Sequence, residues 1–413
     1  MANLEMYTMN NDLFNLTPEM QLLVACCGVS MKQDEQEKEE SVQRLSALTR
    51  QEGIDWSRFL DLIERHRVHS LVYNNINQYA AEHIPASVRL TLKNRSNKKT
   101  RQMLNLTAEL VRLSKLFAEH DIFLLSFKGI ALSQQLFGNL ALRYSKDLDL
   151  LIKPEDLDQA EQLLLSNGYK RQLPDFALTP RQKKALLKTA QHVSYYHPSR
   201  QVLVELHWRL HANPHLLPSA YRKQMMANRQ QLSIAGTQIT SLSDEDTFLY
   251  LCLHGANHGW YRLKWLCDVA QFLHREPAIN WQAWVENVLA LVLYRPVAQA
   301  LLLAHHLFDA PLPPATRPLT TEAQIVPQLV AHSIQLLMQS EEELFTVGRL
   351  NRLRNMPYRM KLKADLRYQW SDFSQIWLSV SVNDWKRYPL PDVLFPLYYM
   401  LGPFSWLRRK LSS

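Results

Sequence analysis

The sequence predicts an α+β protein in which a mixed β-sheet, covered by helices, lies between two helical regions. Apolar runs of strand length, bounded by turn residues, concentrate between residues 121 and 240 and alternate there with helix-like segments. On both sides of this stretch apolar residues recur at helical spacing, and after Asp244 prolines separate long segments of this kind. We therefore predict a flexible leader at residues 1–16, a helical N-terminal region at 17–120, a core at 121–240 and a helical C-terminal domain at 241–413.

Helix signals dominate the N-terminal region. Thr17 and Pro18 suit the N-cap and first turn of a helix, Asp55 precedes a second apolar-periodic segment, and residues 90–119 form a long third segment. The third segment carries a basic cluster that could face an anionic substrate, although a solvated helix face is the interpretation that we favour. The members of this cluster are Lys93, Arg95, Lys98, Lys99 and Arg101.

The core alternates strands with helices, which indicates an α/β arrangement with a mixed sheet. In chain order its predicted elements are a strand at Ile122–Leu125, a turn at Lys128-Gly129, a helix at Ile130–Phe137, a strand at 146–152, a helix from Leu157 that stops at Asn167-Gly168, a strand from Tyr169, a Lys- and Arg-rich helical insertion at 173–189 beside the mouth of the site, and a hairpin of His192–Tyr196 with Val202–Trp208.

The strand at 146–152 carries two acids that point the same way. Because strand side chains alternate between faces, Asp147 and Asp149 share one face, while Leu148 and Leu150 point into a core. Mg²⁺ prefers hard oxygen ligands and is usually held by one or two carboxylates together with substrate phosphates. The preceding turn opens a helix at Gly129, whose backbone N–H groups and dipole favour a phosphate. The pattern therefore predicts a site for metal and triphosphate, although a pair of solvated acids gives the same spacing.

At these residues the chain resembles the nucleotidyltransferase core of DNA-polymerase-β type, in which a glycine at a strand–helix turn is followed by Asp-x-Asp on the next strand. It is similar in particular to a bacterial branch described as uncharacterised nucleotidyltransferases, where the turn reads Leu-Lys-Gly and the motifs Asp-x-Asp-Leu-Leu and Glu-Leu-His-Trp follow. The corresponding segments here are Phe127-Lys128-Gly129, Asp147–Leu151 and Glu205–Trp208.

The resemblance implies roles for individual residues. Asp147, Asp149 and Glu205 would hold Mg²⁺, two ions being expected and Mn²⁺ an alternative, and Glu205 would also be a candidate general base. Gly129 would receive the triphosphate, with Lys128 and Arg143 neutralising its charge. Lys128 stands where better-known members carry a glycine or serine. We expect its flexible stem to reach a triphosphate rather than a buried acid, the alternative being a pair with Asp147 or Asp149.

The C-terminal domain contributes a second candidate wall. His254 and His258 lie four residues apart and would share one face if residues 253–268 are helical. Neither the glutamate of a metalloprotease motif nor an evident third ligand accompanies them, so we do not favour zinc. Both histidines, with Arg262 and Lys264, could contact nucleotide or acceptor across a cleft. The alternative is that His254 and Asp268 are polar anchors and that Trp260 and Trp265 are packing residues.

The end of the chain is rich in basic residues. Arg349–Arg367, interleaved with Tyr358, Tyr368 and Trp370, suits nucleic acid through phosphate contacts and stacking, and equally suits an ordinary basic helix. The apolar run Val393–Leu407 is too short to span a bilayer. It could lie on an anionic membrane surface, but we favour docking onto the helical domain.

Composition limits the class of protein without choosing a substrate. The apolar fraction of 46% is ample for sizeable cores, and the net charge of +8 favours an anionic partner. The four cysteines form neither a metal-ligand nor a disulfide pattern, and no signal peptide is evident, so a reducing cytoplasm is expected.

Together with the resemblance, these observations predict an enzyme that transfers a nucleoside monophosphate from an NTP to an acceptor and releases pyrophosphate. The acceptor stays open among small molecules, polysaccharide precursors and RNA. The alternatives are a non-catalytic nucleotide or nucleic-acid binding protein with the same fold, and a toxin- or defence-type enzyme that modifies tRNA. The presence of all three acids argues against the first alternative, and the positive charge favours the second.

Overall fold

A computed structural model describes residues 16–321, 325–345, 354–377 and 382–400. The predicted leader, except for Leu16, and parts of the basic stretch and of the C-terminal apolar run lie outside these residues. The helices before the sheet are α1 (Pro18–Gly28), α2 (Glu35–Thr49), α3 (Trp56–His66), α4 (His69–Tyr79) and α5 (Ala86–Ala118).

The central part of the chain contains the strands and the helices that cover them. Its elements are β1 (Leu125–Ser126), α6 (Gly129–Phe137), β2 (Leu148–Leu151), α7 (Leu157–Ser166), β3 (Lys170–Arg171), α8 (Pro180–Thr189), β4 (His192–His197), β5 (Val202–His207), α9 (Ser219–Ala227), β6 (Gln230–Ile234) and β7 (Thr237–Ser241).

The remaining described elements are helical. They are α10 (Asp244–Asn257), α11 (Leu263–His274), α12 (Trp281–Ala290), α13 (Tyr294–Phe308), α14 (Arg317–Thr321), α15 (Ile325–Met338), α16 (Glu341–Phe345), α17 (Met356–Lys361), α18 (Leu366–Trp377) and α19 (Val382–Arg387). Short 3₁₀ turns occur at Val29–Met31, Ala81–His83, Pro154–Asp156, Pro314–Thr316 and Asp392–Leu394.

Local sequence explains where several helices begin. α1 follows Thr17 and has Pro18 in its first turn, as predicted. The Asp55 carboxylate accepts a hydrogen bond from the Arg58 N–H at the start of α3. At α8, Thr179 and Gln182 exchange the two hydrogen bonds of a capping box. The predicted insertion at 173–189 is therefore helical only from Pro180.

The main sheet is mixed and has the strand order β1-β2-β5-β4-β3. β2 runs parallel to β5, whereas the other neighbouring pairs are antiparallel. The predicted hairpin is confirmed as β4 and β5, but the first strand is shorter than predicted and lies later, at Leu125–Ser126. The observed architecture is thus α+β, and the predicted domain limits stay a prediction.

Two hydrophobic cores hold the molecule together. One joins α1 and the other N-terminal helices to α10, α11, α13 and α15, and α1 itself is buried almost throughout: its side chains Met20, Leu22, Leu23 and Cys26 are inaccessible to solvent. The other core packs α5, α7 and the sheet against Trp385 and Tyr398. The described part of the C-terminal apolar run thus docks partly on the sheet side of the molecule, although Val393 and Met400 are exposed.

Hydrogen bonds between arginines and main-chain carbonyls tie the first core together. Arg65 donates to the Tyr261 carbonyl at 2.8 Å and to the Leu336 carbonyl at 2.7 Å. Arg262 donates in return to the Arg65 carbonyl at 3.0 Å. These contacts fix the end of α3 against the start of α11.

The condition that residues 253–268 are helical, under which His254 and His258 would share a face, is met only in part. α10 ends at Asn257, and α11 begins only at Leu263. Gly259 and Trp260 between them both have positive φ angles, a conformation that a continuous α-helix excludes. The Trp260 ring folds back onto Gly255, where an added Cβ would lie 2.1 Å from it. The absence of a side chain at Gly255 therefore allows this sharp turn.

The described part of the basic stretch is largely structural. Tyr358 and Tyr368 are buried, so two of the three aromatic residues proposed for base stacking belong to the core, whereas Trp370 is exposed. Arg359 pairs with Asp372, and Lys363 donates to main-chain carbonyls of the 215–216 segment. Residues 349–353 of this stretch lie outside the described part of the chain, and nucleic-acid binding by the stretch stays a prediction. Among the helices that the structure describes, none has the length and apolar character needed to cross a membrane.

Candidate active site

The two strands β2 and β5 bring the three predicted acids together. Asp149 on β2 lies directly opposite Glu205 on the parallel strand β5. Asp147 lies one residue before β2 begins, and it lines the same cleft as Asp149 and Glu205. Asp147 and Asp149 are buried and Glu205 is half-buried. The sheet therefore concentrates three carboxylates at one edge of a cleft.

Asp149 is contacted by the Lys128 ammonium and by the His207 ring, which is cationic only when protonated. The Lys128 ammonium lies 2.9 Å from Asp149 Oδ1, and His207 Nε2 lies 3.0 Å from the same oxygen. Burial alone would raise the pKa of Asp149, but Lys128 and His207 lower it below its usual range. Burial likewise opposes the charge of Lys128, yet Asp149 raises its pKa. The expectation that Lys128 has no buried acid within reach is therefore wrong. Whether it also contacts phosphate stays a prediction.

Asp147 has much weaker partners than Asp149. The Ser145 hydroxyl lies 3.3 Å from Asp147 Oδ1, and the exposed Lys146 ammonium lies 3.8 Å from Oδ2. Burial and the neighbouring charges of Asp149 and Glu205 raise the pKa of Asp147 to about 6. The repulsion between like charges is thus concentrated on Asp147 rather than on Asp149.

His207 is a site residue to which the sequence analysis gave no role. Its Nε2 atom lies between Asp149 Oδ1, at 3.0 Å, and Glu205 Oε2, at 3.3 Å, and its ring is fully buried against Phe127. Burial lowers its pKa, but the two carboxylates more than offset this and leave the pKa raised. His192 on β4 extends the group, with Nε2 3.6 Å from Glu205 Oε2. The spacing of Glu205 and His207, two residues apart on one strand, was the available signal.

The glycine turn lies behind the acids rather than in the open cleft. Gly129 begins α6 with φ +51°, and an added Cβ would be 3.4 Å from the Asp147 carbonyl oxygen and 3.4 Å from Ser145 Oγ. Gly129 is buried and is not among the residues that line the cleft. The turn therefore supports the segment that carries Asp147, and its phosphate role stays a prediction.

The opposite wall of the cleft is aromatic and comes from α10 and α11. His258 stacks on Trp265 with ring centroids 5.1 Å apart, and the ring of His254 meets the same indole edge-on at 5.3 Å. The Tyr250 hydroxyl bonds to His254 Nδ1 at 3.1 Å. His258 is exposed to the cleft, whereas Trp260 is fully buried as a packing residue.

Two of the predicted nucleotide-binding arginines are already paired. Arg143 forms a buried bidentate contact with Asp268, at 2.7 and 2.9 Å, which confirms Asp268 as a polar anchor. Arg262 pairs with Glu341 Oε1 at 2.8 Å in addition to its bond with the Arg65 carbonyl. Both line the cleft, and their role in nucleotide binding stays a prediction.

All these groups surround one cleft with a volume of about 270 Å³. Arg67, at the end of α3, also lines it, although the sequence analysis assigned it no role. Lys264, named there as a possible contact, lines it too. Of the predicted site residues, the cleft brings together Lys128, Arg143, Asp147, Asp149, Glu205, His258 and Arg262.

The three acids are of the chemical type that binds a hard divalent cation, but the described residues whose ligand atoms lie within 4.8 Å of one another are His192, Glu205 and His207. Three carboxylates supply oxygen ligands of the type that Mg²⁺ prefers, and burial together with the charges of Asp149 and Glu205 raises the pKa of Asp147. A cation bound beside Asp147 would offset the burial and the neighbouring negative charges that raise that pKa. The residues that would hold it are Asp147, Asp149 and Glu205.

Comparison with known families gives one match. A family model described as uncharacterised nucleotidyltransferase matches residues 52–309, which is more than half of the chain. The match covers the three acids, Lys128 and the aromatic wall. Neither a curated protein nor a solved structure matches the chain.

Proposed function

Because the chain belongs to this nucleotidyltransferase family, we propose that it transfers a nucleoside monophosphate from an NTP to an acceptor and releases pyrophosphate. The proposal includes a core of polymerase-β type and dependence on Mg²⁺, with Mn²⁺ as an alternative. The acceptor is a small molecule, a polysaccharide precursor or an RNA.

One observation carries the proposal. Asp149 and Glu205 are direct neighbours on parallel strands, Asp147 lies one residue before β2, and all three line a cleft large enough to admit part of a nucleotide. The alternative of two solvated surface acids does not account for the burial of Asp147 and Asp149, because burying a carboxylate is costly unless a ligand or ion compensates its charge. A non-catalytic binding protein with this fold would be expected to lack one or more of the three acids, and all three are present here.

The residues have distinct roles in the proposed reaction. When bound, Mg²⁺ would polarise the phosphate oxygens and orient the triphosphate. The negative charge that would hold the metal ion comes from Asp147, Asp149 and Glu205. His207 keeps Asp149 and Glu205 aligned through its two contacts. The acceptor oxygen forms the new bond to the α-phosphorus as the bond from that phosphorus to the bridging oxygen breaks. Pyrophosphate leaves, and Glu205 accepts the acceptor's proton.

The test is transfer of label from each α-labelled NTP to fractions of a cell extract in the presence of Mg²⁺. We expect the wild type to label one fraction and Asp149→Asn and Glu205→Gln to reduce labelling to background. Asp158→Asn is the matched control, because this exposed acid on α7 pairs with Lys183 outside the cleft. Full transfer by a folded Asp149→Asn protein would contradict the proposal.

A further inference from the structure

The cations of the cleft fall into two groups. Four of them face a carboxylate within 4.0 Å, and two do not. The paired ones are Lys128 with Asp149, Lys146 with Asp147, Arg143 with Asp268 and Arg262 with Glu341. Within the described part of the chain, neither Lys264 nor Arg67 has such an ion pair, and both line the cleft.

Lys264 is a buried lysine whose charge lacks a close counterion. Its residue is 9% exposed, and its ammonium donates to the Tyr144 carbonyl at 3.1 Å, which leaves two further N–H groups. Burial and the positive charge of Arg143, joined by that of Arg67, lower its pKa to about 7, although Asp268 opposes them. An ammonium ion in such surroundings is stabilised by any anion that enters the cleft.

Arg67 is held in a backbone conformation that favours glycine. It follows α3 with φ 59° and ψ 41°, and this left-handed conformation carries an energetic cost for a residue with a Cβ. Its half-buried side chain reaches the cleft, close enough to Lys264 for the two positive charges to repel. Glycine would adopt this conformation without strain, so the presence of arginine at this position indicates a role for its side chain.

We propose that Arg67 and Lys264 form an anion site, on the helical side of the cleft, that binds a phosphate group carrying no metal ion. Only the origin of this phosphate rests on the proposed function: it belongs to the tail of the NTP or to a phosphorylated acceptor. One side of the cleft, formed by the acids on the sheet, would then attract cations, and the opposite side, formed by Arg67 and Lys264, would attract anions.

The experiment is a calorimetric titration of the full chain with pyrophosphate in a metal chelator. We expect the wild type to bind, and Arg67→Gly and Lys264→Met each to bind about tenfold or more weakly, as for the loss of one charge-assisted contact. Arg58→Ala is the matched control, because Arg58 is an exposed arginine of α3, the helix that Arg67 follows, and does not line the cleft. It should bind as the wild type does.

Melting temperatures measured without ligand separate a binding role from a structural one. Arg67→Gly should melt at the same temperature as the wild type or higher, because glycine adopts the left-handed conformation without strain. Pyrophosphate should then raise the melting temperature of the wild type more than that of either variant.

A second titration identifies the source of the phosphate. Inorganic phosphate is added to the wild type saturated with Mg²⁺ and a non-hydrolysable NTP. Loss of phosphate binding assigns the site to the NTP tail. Binding that persists in the wild type and disappears in Arg67→Gly assigns it to a phosphorylated acceptor.

Absence of pyrophosphate binding by the metal-free wild type would overturn the anion site, as would equal binding by the wild type and both variants. The proposed transferase activity fails by a different measurement, the lack of label transfer. If label transfer is absent but the metal-free protein binds pyrophosphate through Arg67 and Lys264, the anion site is supported and only the transferase proposal fails.

Discussion

Lys128 and Asp147 determine how much uncompensated charge the metal-free cleft contains. Lys128 offsets the charge of Asp149 through a short buried contact, whereas Asp147 has only a hydroxyl and a distant exposed lysine as partners. Removing Lys128 leaves a buried carboxylate without its main counterion, and neutralising Asp147 removes a repelling charge. The two changes should therefore act in opposite directions.

Lys128→Ala is expected to lower the free energy of unfolding of the metal-free protein by about 3–5 kcal/mol at pH 7, the cost of breaking a buried ion pair. The measurement is urea unfolding in a chelator, repeated with saturating Mg²⁺, which should reduce the loss. Asp147→Asn should raise the free energy of unfolding, because the folded-state pKa of about 6 lies above the ordinary value of an aspartate and the ionised form therefore opposes folding at pH 7. Lys146→Ala, at an exposed pair, should change it by about 1 kcal/mol or less. Unchanged stability of Lys128→Ala together with weaker NTP binding would instead assign Lys128 to phosphate.

The turn between α10 and α11 is the element that forms the aromatic wall. Trp260 fills the space beside Gly255, so the helix carrying His254 and the helix carrying Trp265 meet at a fixed angle. The arrangement of the aromatic wall therefore requires glycine at position 255.

Gly255→Ala is expected to destabilise the protein by about 1–3 kcal/mol or more, since the added methyl overlaps the Trp260 ring and overpacks the core. Alanine otherwise favours a helix, so a stabilised variant would contradict this packing. Thermal unfolding measures the change. Gly28→Ala, whose added Cβ would meet Phe308 at 3.3 Å, is the milder control.

The sequence predicted those elements whose signal is local. Strand alternation placed Asp147 and Asp149 on one face, and the hairpin followed from its turn residues, because both depend on the period of the backbone. The break after Asn257 had a local signal in Gly259, since glycine commonly follows the end of a helix, but the backward fold of Trp260 onto Gly255 had none. The contact of Lys128 with Asp149 and the position of Arg67 depend on how distant elements cross, and spacing along the chain does not contain that information.

On the scale of the whole molecule, buried neutral histidines make stability depend on pH. His66 and His254 have pKa values well below the usual range, and that of His211 is lowered to about 3, in each case chiefly because burial disfavours the charged ring. The unfolded chain binds protons at these positions near pH 6.5, whereas the folded chain does not. The free energy of unfolding therefore falls as pH decreases below about 6.5, and His207, with its raised pKa, opposes this in part.

We expect each of the three histidines to contribute about 1.4 kcal/mol of lost stability per pH unit below about 6.5. His211→Phe should reduce the pH slope by about one proton, because the ring lies beside Tyr250 and its Nε2 has no hydrogen-bond partner among the described residues. Urea unfolding at pH 7, 6 and 5 in a chelator measures the slope. A slope that is the same in the variant and the wild type would contradict the assignment.

The burial of α1 has a practical consequence for work on isolated fragments. The family match starts at residue 52, yet α1 packs against α3, α4 and α13, all of which lie within the matched region. A fragment cut at the start of the match would expose the apolar surface that Leu22, Leu23 and Cys26 cover. Such surfaces promote aggregation. Fragments intended for crystallisation or enzyme assays should therefore retain the chain from Leu16 onward.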